Sequence, residues 1–463
     1  MELVKNNHLF PAFALQTRIS QYDSKIDYYE NRFIKKRKKY FEHNSMKKRE
    51  FIRKISLLSA STAIIPTLGA NSFHYVSGAK FLQNETFNYF EDRHEEEQDV
   101  RIVNLRNKFF GCIAGCHIGS AMGAPVEGNS WEKIEKEYGT LDKLLPYHHY
   151  GNSNDWMREP GTTEDGVERQ KLMITAILEK QDKINAEDLR RSWVDHMNPN
   201  APGLISEPFE GALLSLAKTN IPASDIGKYC DYSGLVSLSR SCHPIGLINA
   251  GDIPGAIDDI REIGQLYNTA NSRGILWAEV VVIAIAAATK PGSTIDSVLG
   301  AVLDNCDKVD TRFIRQAGIR GEIEKALKLT ANCSDFRQMR LQFDEIYSGT
   351  GVPYAHSYAN EIVTKAICIL RMTKANTWES MKAGVNMGRD TDCLTSVAAG
   401  ISGSLTGGSS IPIELIKQVD YATSANPHTN SKRTLAETSD GLYNAFKSRL
   451  KRLKSYSEDM EVA

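Results

Sequence analysis

The sequence predicts one large all-α domain, a single compact multi-helix body over residues 101–463. Apolar residues, mostly Ala, Leu, Ile and Met, recur at helical period through nearly all of it. Alternating strand patterns of useful length are scarce. No Pro- or Ser-rich linker interrupts the chain after residue 101, and no internal repeat is visible.

Three stretches precede that domain. Residues 1–45, with Lys35-Lys36-Arg37-Lys38-Lys39, read as an upstream extension, the true start being Met46. Residues 46–70 read as a signal peptide. Met46 to Lys54 is a basic n-region, Ile55 to Pro66 a short apolar run broken by Ser56, Ser59, Ser61 and Thr62, and Leu68-Gly69-Ala70 ends in small residues. Lys48-Arg49-Glu50-Phe51-Ile52 resembles a twin-arginine signal with Lys in the first position. The expectation is export, periplasmic or extracellular, and a cytoplasmic protein if the segment is instead a basic amphipathic helix. The run is too short for a stable membrane span, which needs about 20 apolar residues. Residues 71–100 read as a polar lead-in.

The chain of 463 residues is globular in composition, 41% hydrophobic and 24% charged. Residues 1–70 hold 14 Lys+Arg and 6 Asp+Glu, which leaves 42 basic and 51 acidic residues in the body, net −9 beneath a formal charge of −1. An acidic body argues against nucleic-acid binding, which rests on cationic side chains neutralising phosphates.

The first helix spans 101–122. Gly111, Gly115, Gly119 and Gly123 fall on one face of it, where small residues let a ligand or another backbone approach closely. The spacing is neither a Walker nor a dinucleotide motif, and helix packing alone is the competing reading. Pro125 stops the helix and leaves Glu127 on a loop. Helices follow at 168–182, 186–197 and, after Pro202-Gly203, 208–217. Ser239 to Asp252 reads as a loop heading a helix pair, with His243 structural. The remaining helices are 274–289, stopped by Pro291-Gly292, then 309–328, 356–373, 376–387, 391–406, stopped by Gly407-Gly408, and 433–454. The eight cysteines form no CxxC pair. Cys112 and Cys116, one helical turn apart, have poor disulfide geometry and read as small buried residues.

Two acidic clusters carry the chemistry: Thr163-Glu164-Asp165 and Asp390-Thr391-Asp392. Each follows a Gly (Gly161, Gly388) and leads into an apolar helical run, which places it at a helix N-terminus. Alone, such a triplet is usually a solvated loop or a helix cap. Mg²⁺ and Mn²⁺ take about six oxygen ligands, more than either cluster supplies. Two half-sites meeting in space would hold one or two ions and leave waters for chemistry.

In this order, the segments resemble the ADP-ribosylglycohydrolase family, which includes the dinitrogenase reductase-activating glycohydrolases. Gly123-Ala124-Pro125-Val126-Glu127 matches its first turn, Thr163-Glu164-Asp165 its Thr-Asp-Asp motif, and Pro244 to Leu247 with Ala250-Gly251-Asp252 its third stretch. Gly388-Arg389-Asp390-Thr391-Asp392-Cys393 matches its Gly-Gly-Asp-Thr-Asp-Thr. The resemblance implies a binuclear Mg²⁺ or Mn²⁺ site in a cleft and hydrolysis of a glycosidic bond at C1″ of ADP-ribose. It implies Thr163, Glu164, Asp165, Asp390 and Asp392 as metal ligands, Asp392 bridging both ions. Glu127 would lie over the metals, and Asp165 or Glu127 would accept the proton of the attacking water. The implied substrate is a small molecule or an ADP-ribosyl conjugate, bound by a monomer.

Several residues depart from that pattern. Glu164 replaces Asp, Gly166 a Thr or Ser, Ser120 an Asp, Arg389 a Gly and Cys393 the last Thr. A thiol is a poor ligand for hard Mg²⁺, so the second ion is expected to be held more weakly. Arg389 is expected to meet a substrate anion or to pair with Glu164. Two other readings remain: an exported hydrolase of a different N-glycoside or riboside, and a crystallin-like protein without catalysis.

Overall fold

The computed structural model describes residues 103–149, 156–197, 208–230, 234–306, 318–347 and 357–462. The expectations for 1–45, 46–70 and 71–100 lie outside the described residues. The first half holds α1 (Leu105–Gly123), α2 (Trp131–Tyr138), α3 (Asp165–Lys180), α4 (Ala186–His196), α5 (Pro208–Ala217) and α6 (Ala223–Ile226). Next come α7 (His243–Ile248), α8 (Ile253–Ile263), α9 (Arg273–Ala288), α10 (Ile295–Asn305), α11 (Ile319–Leu329) and α12 (Phe336–Tyr347). The last are α13 (Ala359–Met372), α14 (Thr377–Val385), α15 (Thr391–Thr406), α16 (Ile413–Ala425) and α17 (Leu435–Val462). Among the described residues the only strands are β1 (Tyr147–His148) and β2 (Met157–Arg158), paired antiparallel with Tyr147 opposite Arg158. The all-α expectation holds.

Two of the helices absent from the sequence reading bury only one or two residues each. Helix α2 buries only Ile134, and α10 only Val298 and Val302. Caps define the ends of both. Ser130 accepts from Lys133 N–H at the start of α2, while Thr294 and Ser297 form a reciprocal capping box on α10. Helices α8, α12 and α16 were likewise not anticipated. The expected helix at 309–328 begins at Ile319, residues 307–317 lying outside the description, and the last helix runs on to Val462.

Helices α1, α9 and α15 are buried on nearly every face and form the centre. Among the described residues, Leu105–Val126 alone is long and apolar enough to cross a membrane, and the protein buries it as its central helix. The glycine stripe explains how α1 meets α15. A Cβ on Gly115 would lie 2.5 Å from Ala399 O, one on Gly119 2.7 Å from Thr395 O, and one on Gly123 2.3 Å from Asp392 N. The two helices therefore touch backbone to backbone along their length, which only glycine permits here. The close approach is to another helix and not to a ligand. Its consequence is positional: the C-terminus of α1 lands on the N-terminus of α15.

Candidate metal centre

Both acidic clusters sit at helix N-termini, as expected, and the fold brings them together. At α3, Glu164 is the N-cap residue, with extended backbone, but its side chain makes no cap. It reaches instead to His149, whose Nδ1 lies 3.0 Å from Oε2. The Glu164 N–H donates to Ser120 Oγ on α1 at 3.4 Å. Asp165 opens α3 and is buried against two arginines, with Oδ2 2.8 Å from Arg240 Nη2 and 3.3 Å from Arg169 Nη1. Thr163 donates to Glu168 Oε1 at 3.3 Å and receives Lys171 Nζ at 3.4 Å. Asn430 N–H and the Thr429 hydroxyl close over the same Glu168 carboxylate.

At α15, Asp390 caps the helix: Oδ1 accepts from Cys393 N–H at 3.3 Å. Its Oδ2 has no hydrogen-bond partner, and neither has Asp392 Oδ1, though the two residues are 1% and 3% exposed. Burying carboxylate oxygens unpaired is costly, and native structures do so where something else satisfies them. Ligand atoms of Asp390, Asp392 and Cys393 all lie within 4.8 Å of one another. This donor set, two hard oxygens with nothing else to bind, fits a divalent cation.

Glu127 follows the 3₁₀ turn Ala124–Val126 that ends α1. Its loop is zipped to the second cluster: Gly128 N–H donates to Arg389 O at 2.8 Å, and Arg389 N–H to Asn129 O at 2.7 Å. The Thr391 hydroxyl donates to Gly123 O at 2.8 Å. Gly388 needs its left-handed backbone, φ +72°, and a Cβ there would meet Trp131 N at 2.5 Å. Burial, and then the charges of Asp390, Glu164 and Asp165, push the Glu127 carboxyl well above the usual carboxylate range against the pull of Arg240. Burial, Glu127 and Asp390 do the same to Asp392. Like-charged groups crowded in a dry site hold protons until a cation replaces them. Burial and the neighbouring Asp390 and Asp392 likewise raise the Cys393 thiol, which donates to Asp392 Oδ2 at 3.5 Å.

Arg389 has a protein partner that the sequence reading did not name. It forms a bidentate pair with Glu361, Nε to Oε1 at 2.7 Å and Nη2 to Oε2 at 2.9 Å, and Lys365 joins the same carboxylate at 2.6 Å. It does not pair with Glu164 because Glu361, two per cent exposed at its side chain, offers both oxygens from α13. The sequence reading gave no role to Arg240, His149 or Glu361. Their partners lie in other helices, and the single local hint was Gly166, whose absent side chain Arg240 fills. His243 is structural as expected. With Cys116, His117, Gln170 and Ser396 it forms a buried polar joint between α1, α3, α7 and α15, Gln170 bridging His117 at 2.9 Å and His243 at 3.2 Å.

Comparison with known proteins gives three findings. The sequence model of one family, ADP-ribosylglycohydrolase, matches residues 102–451. An uncharacterized protein of Archaeoglobus fulgidus is 24% identical over 308 residues, 65% of this chain and 88% of that one. A solved structure, an ADP-ribosylglycohydrolase-related protein complex, covers 74% of this chain and 98% of its own, at 13% identity and a TM-score of 0.51; the likeness is one of fold.

Proposed function

The chain belongs to the ADP-ribosylglycohydrolase family, and on that premise we propose that it is a metal-dependent glycosidase. Its substrate is ADP-ribose in glycosidic linkage, free or as an ADP-ribosyl conjugate. The observation that carries metal dependence is the pair of buried, unpartnered oxygens, Asp390 Oδ2 and Asp392 Oδ1. A divalent ion bound there supplies a Lewis acid that orients the ribose diol and lowers the pKa of a coordinated water.

The protein's own groups divide the remaining work. Asp390 and Asp392 would hold the cation from the N-terminus of α15, with the Glu164 carboxylate, at the cap of α3, among the charges nearest Asp392. Glu127, raised by burial and then by its acidic neighbours, is the general base of this reading. Asp165, the other candidate base, is neutralised by Arg240 and Arg169 and is the weaker acceptor. The buried setting strengthens each of these charges towards an oxocarbenium-like transition state.

Asp390→Asn tests the reading. The variant is expected to lose Mn²⁺ binding in calorimetry and to lose hydrolysis across a panel of ADP-ribosyl and riboside substrates. Full activity in the variant, or wild-type activity unchanged by EDTA, refutes the metal assignment. Cleavage of ribosides but not ADP-ribosyl compounds transfers the activity to another N-glycoside.

A further inference from the structure

We propose that the guanidinium of Arg240 takes the place of a second metal ion, so that the site binds a single divalent cation. The proposal rests on the metal-dependent reading above. Arg240 Nη2 is 2.8 Å from Asp165 Oδ2, and its Nη1 donates to Cys393 Sγ at 3.6 Å. One side chain thus bridges the two acidic halves of the site, carrying a fixed positive charge into the space between them.

Three further features agree. Gly166 sits in the first turn of α3, and a Cβ there would lie 2.6 Å from Arg240 Cδ and 2.9 Å from Cγ. The missing Cβ clears the path for the arginine stem. Asp165 spends Oδ2 on Arg240 and Arg169, whereas Asp390 and Asp392 each keep a buried oxygen free. The two halves therefore differ: α15 offers unpartnered carboxylate oxygens beside the Cys393 thiol, α3 a carboxylate that is already paired. A thiol is a soft ligand that hard cations avoid, so Cys393 adds no hard donor where α15 meets Arg240, and a divalent ion beside Asp165 would be repelled by the guanidinium. The glycine, the cysteine and the arginine are three parts of one substitution.

Mn²⁺ titration of the full-length protein, followed by calorimetry and electron paramagnetic resonance, decides the matter. Wild type is expected to bind one Mn²⁺ per chain with an uncoupled six-line spectrum. The double variant Arg240→Ala/Cys393→Thr is expected to take a second equivalent and show an exchange-coupled signal, while Arg240→Lys, which keeps the charge, stays at one. Two equivalents with a coupled spectrum in wild type overturn the proposal and leave metal dependence intact. A folded double variant that still binds one also overturns it. No binding in wild type overturns both this proposal and the metal-dependent reading. The wild-type stoichiometry decides even where the double variant does not fold.

Discussion

Adding one methyl group at Gly119 tests whether the helix contact builds the site. The Cβ of Gly119→Ala would sit 2.7 Å from Thr395 O, 2.8 Å from Thr395 C and 3.1 Å from Ser396 N, all backbone atoms of α15. Ordinary contact begins near 3.4 Å, so the helices must part by roughly 0.7 Å or deform, at the overpacking cost of about 1–3 kcal/mol or more. Helix propensity returns about 1 kcal/mol, leaving a net loss of up to about 2 kcal/mol. The displacement also pulls Gly123 and the Glu127 loop away from Asp390 and Asp392, so Mn²⁺ affinity falls with stability. Gly300→Ala is the control. It lies inside α10 with nothing within 4 Å of its Cβ, and should gain about 0.5–1 kcal/mol. Urea unfolding at constant m-value, with Mn²⁺ calorimetry, reads both. If Gly119→Ala is stabilised as Gly300→Ala is, and keeps its Mn²⁺ affinity, the backbone-contact account is refuted.

Two further predictions concern pH. Burial lifts Asp420 to about 6, against the Leu435 N–H that its carboxylate accepts. The folded state then holds that proton to higher pH than the unfolded state, so stability from this group is full below about pH 4 and is lost as pH rises through 6. Asp420→Asn keeps the acceptor for Leu435 and should be about 1 kcal/mol more stable than wild type at pH 7.5, after discounting for partial exposure, and equal near pH 4. Equal urea midpoints at pH 7.5 would count against it. Burial and Lys171 hold His117 down to about 3, and burial holds His243 to about 4. Between pH 6.5 and those values the unfolded chain binds more protons, so each histidine removes about 1.4 kcal/mol of stability per pH unit on acidification. His117→Gln, whose amide can still donate to Gln170, should decline less steeply from pH 6.5 to 4.5; parallel declines contradict the assignment.

The parts of the molecule legible in the sequence are those whose signal is local. Helix α15 announces itself through Asp390 at the cap and Val397, Ala398 and Ile401 beyond it, and α1 through its glycine spacing. The acidic clusters could be placed at helix starts because capping and apolar onset are neighbours in sequence. What could not be read was which long side chains cross between helices. Arg389 was read as meeting a substrate anion or pairing with Glu164, and its protein partner is Glu361, a choice set by the approach of α13. Arg240 stood in view inside Ser239-Arg240-Ser241, but its meaning depends on the vacant Cβ position at Gly166 and on Cys393, 153 residues further on. Arginine's reach across several helices leaves no periodic trace.

The contact between α1 and α15 also sets an order of events during synthesis. The Thr391 hydroxyl and the Gly123 carbonyl that it reaches are 268 residues apart in the chain. At translation speeds of about 5–20 residues per second, α1 leaves the ribosome roughly 10–50 s before the helix that will cover its glycine face. During that interval its glycine face has no native partner, and closing so long a loop slows the burial of that face further. Until residue 391 has been made, the nascent chain carries this apolar helix without the cover that α15 gives it, the kind of exposed surface that makes partly synthesised chains prone to aggregate.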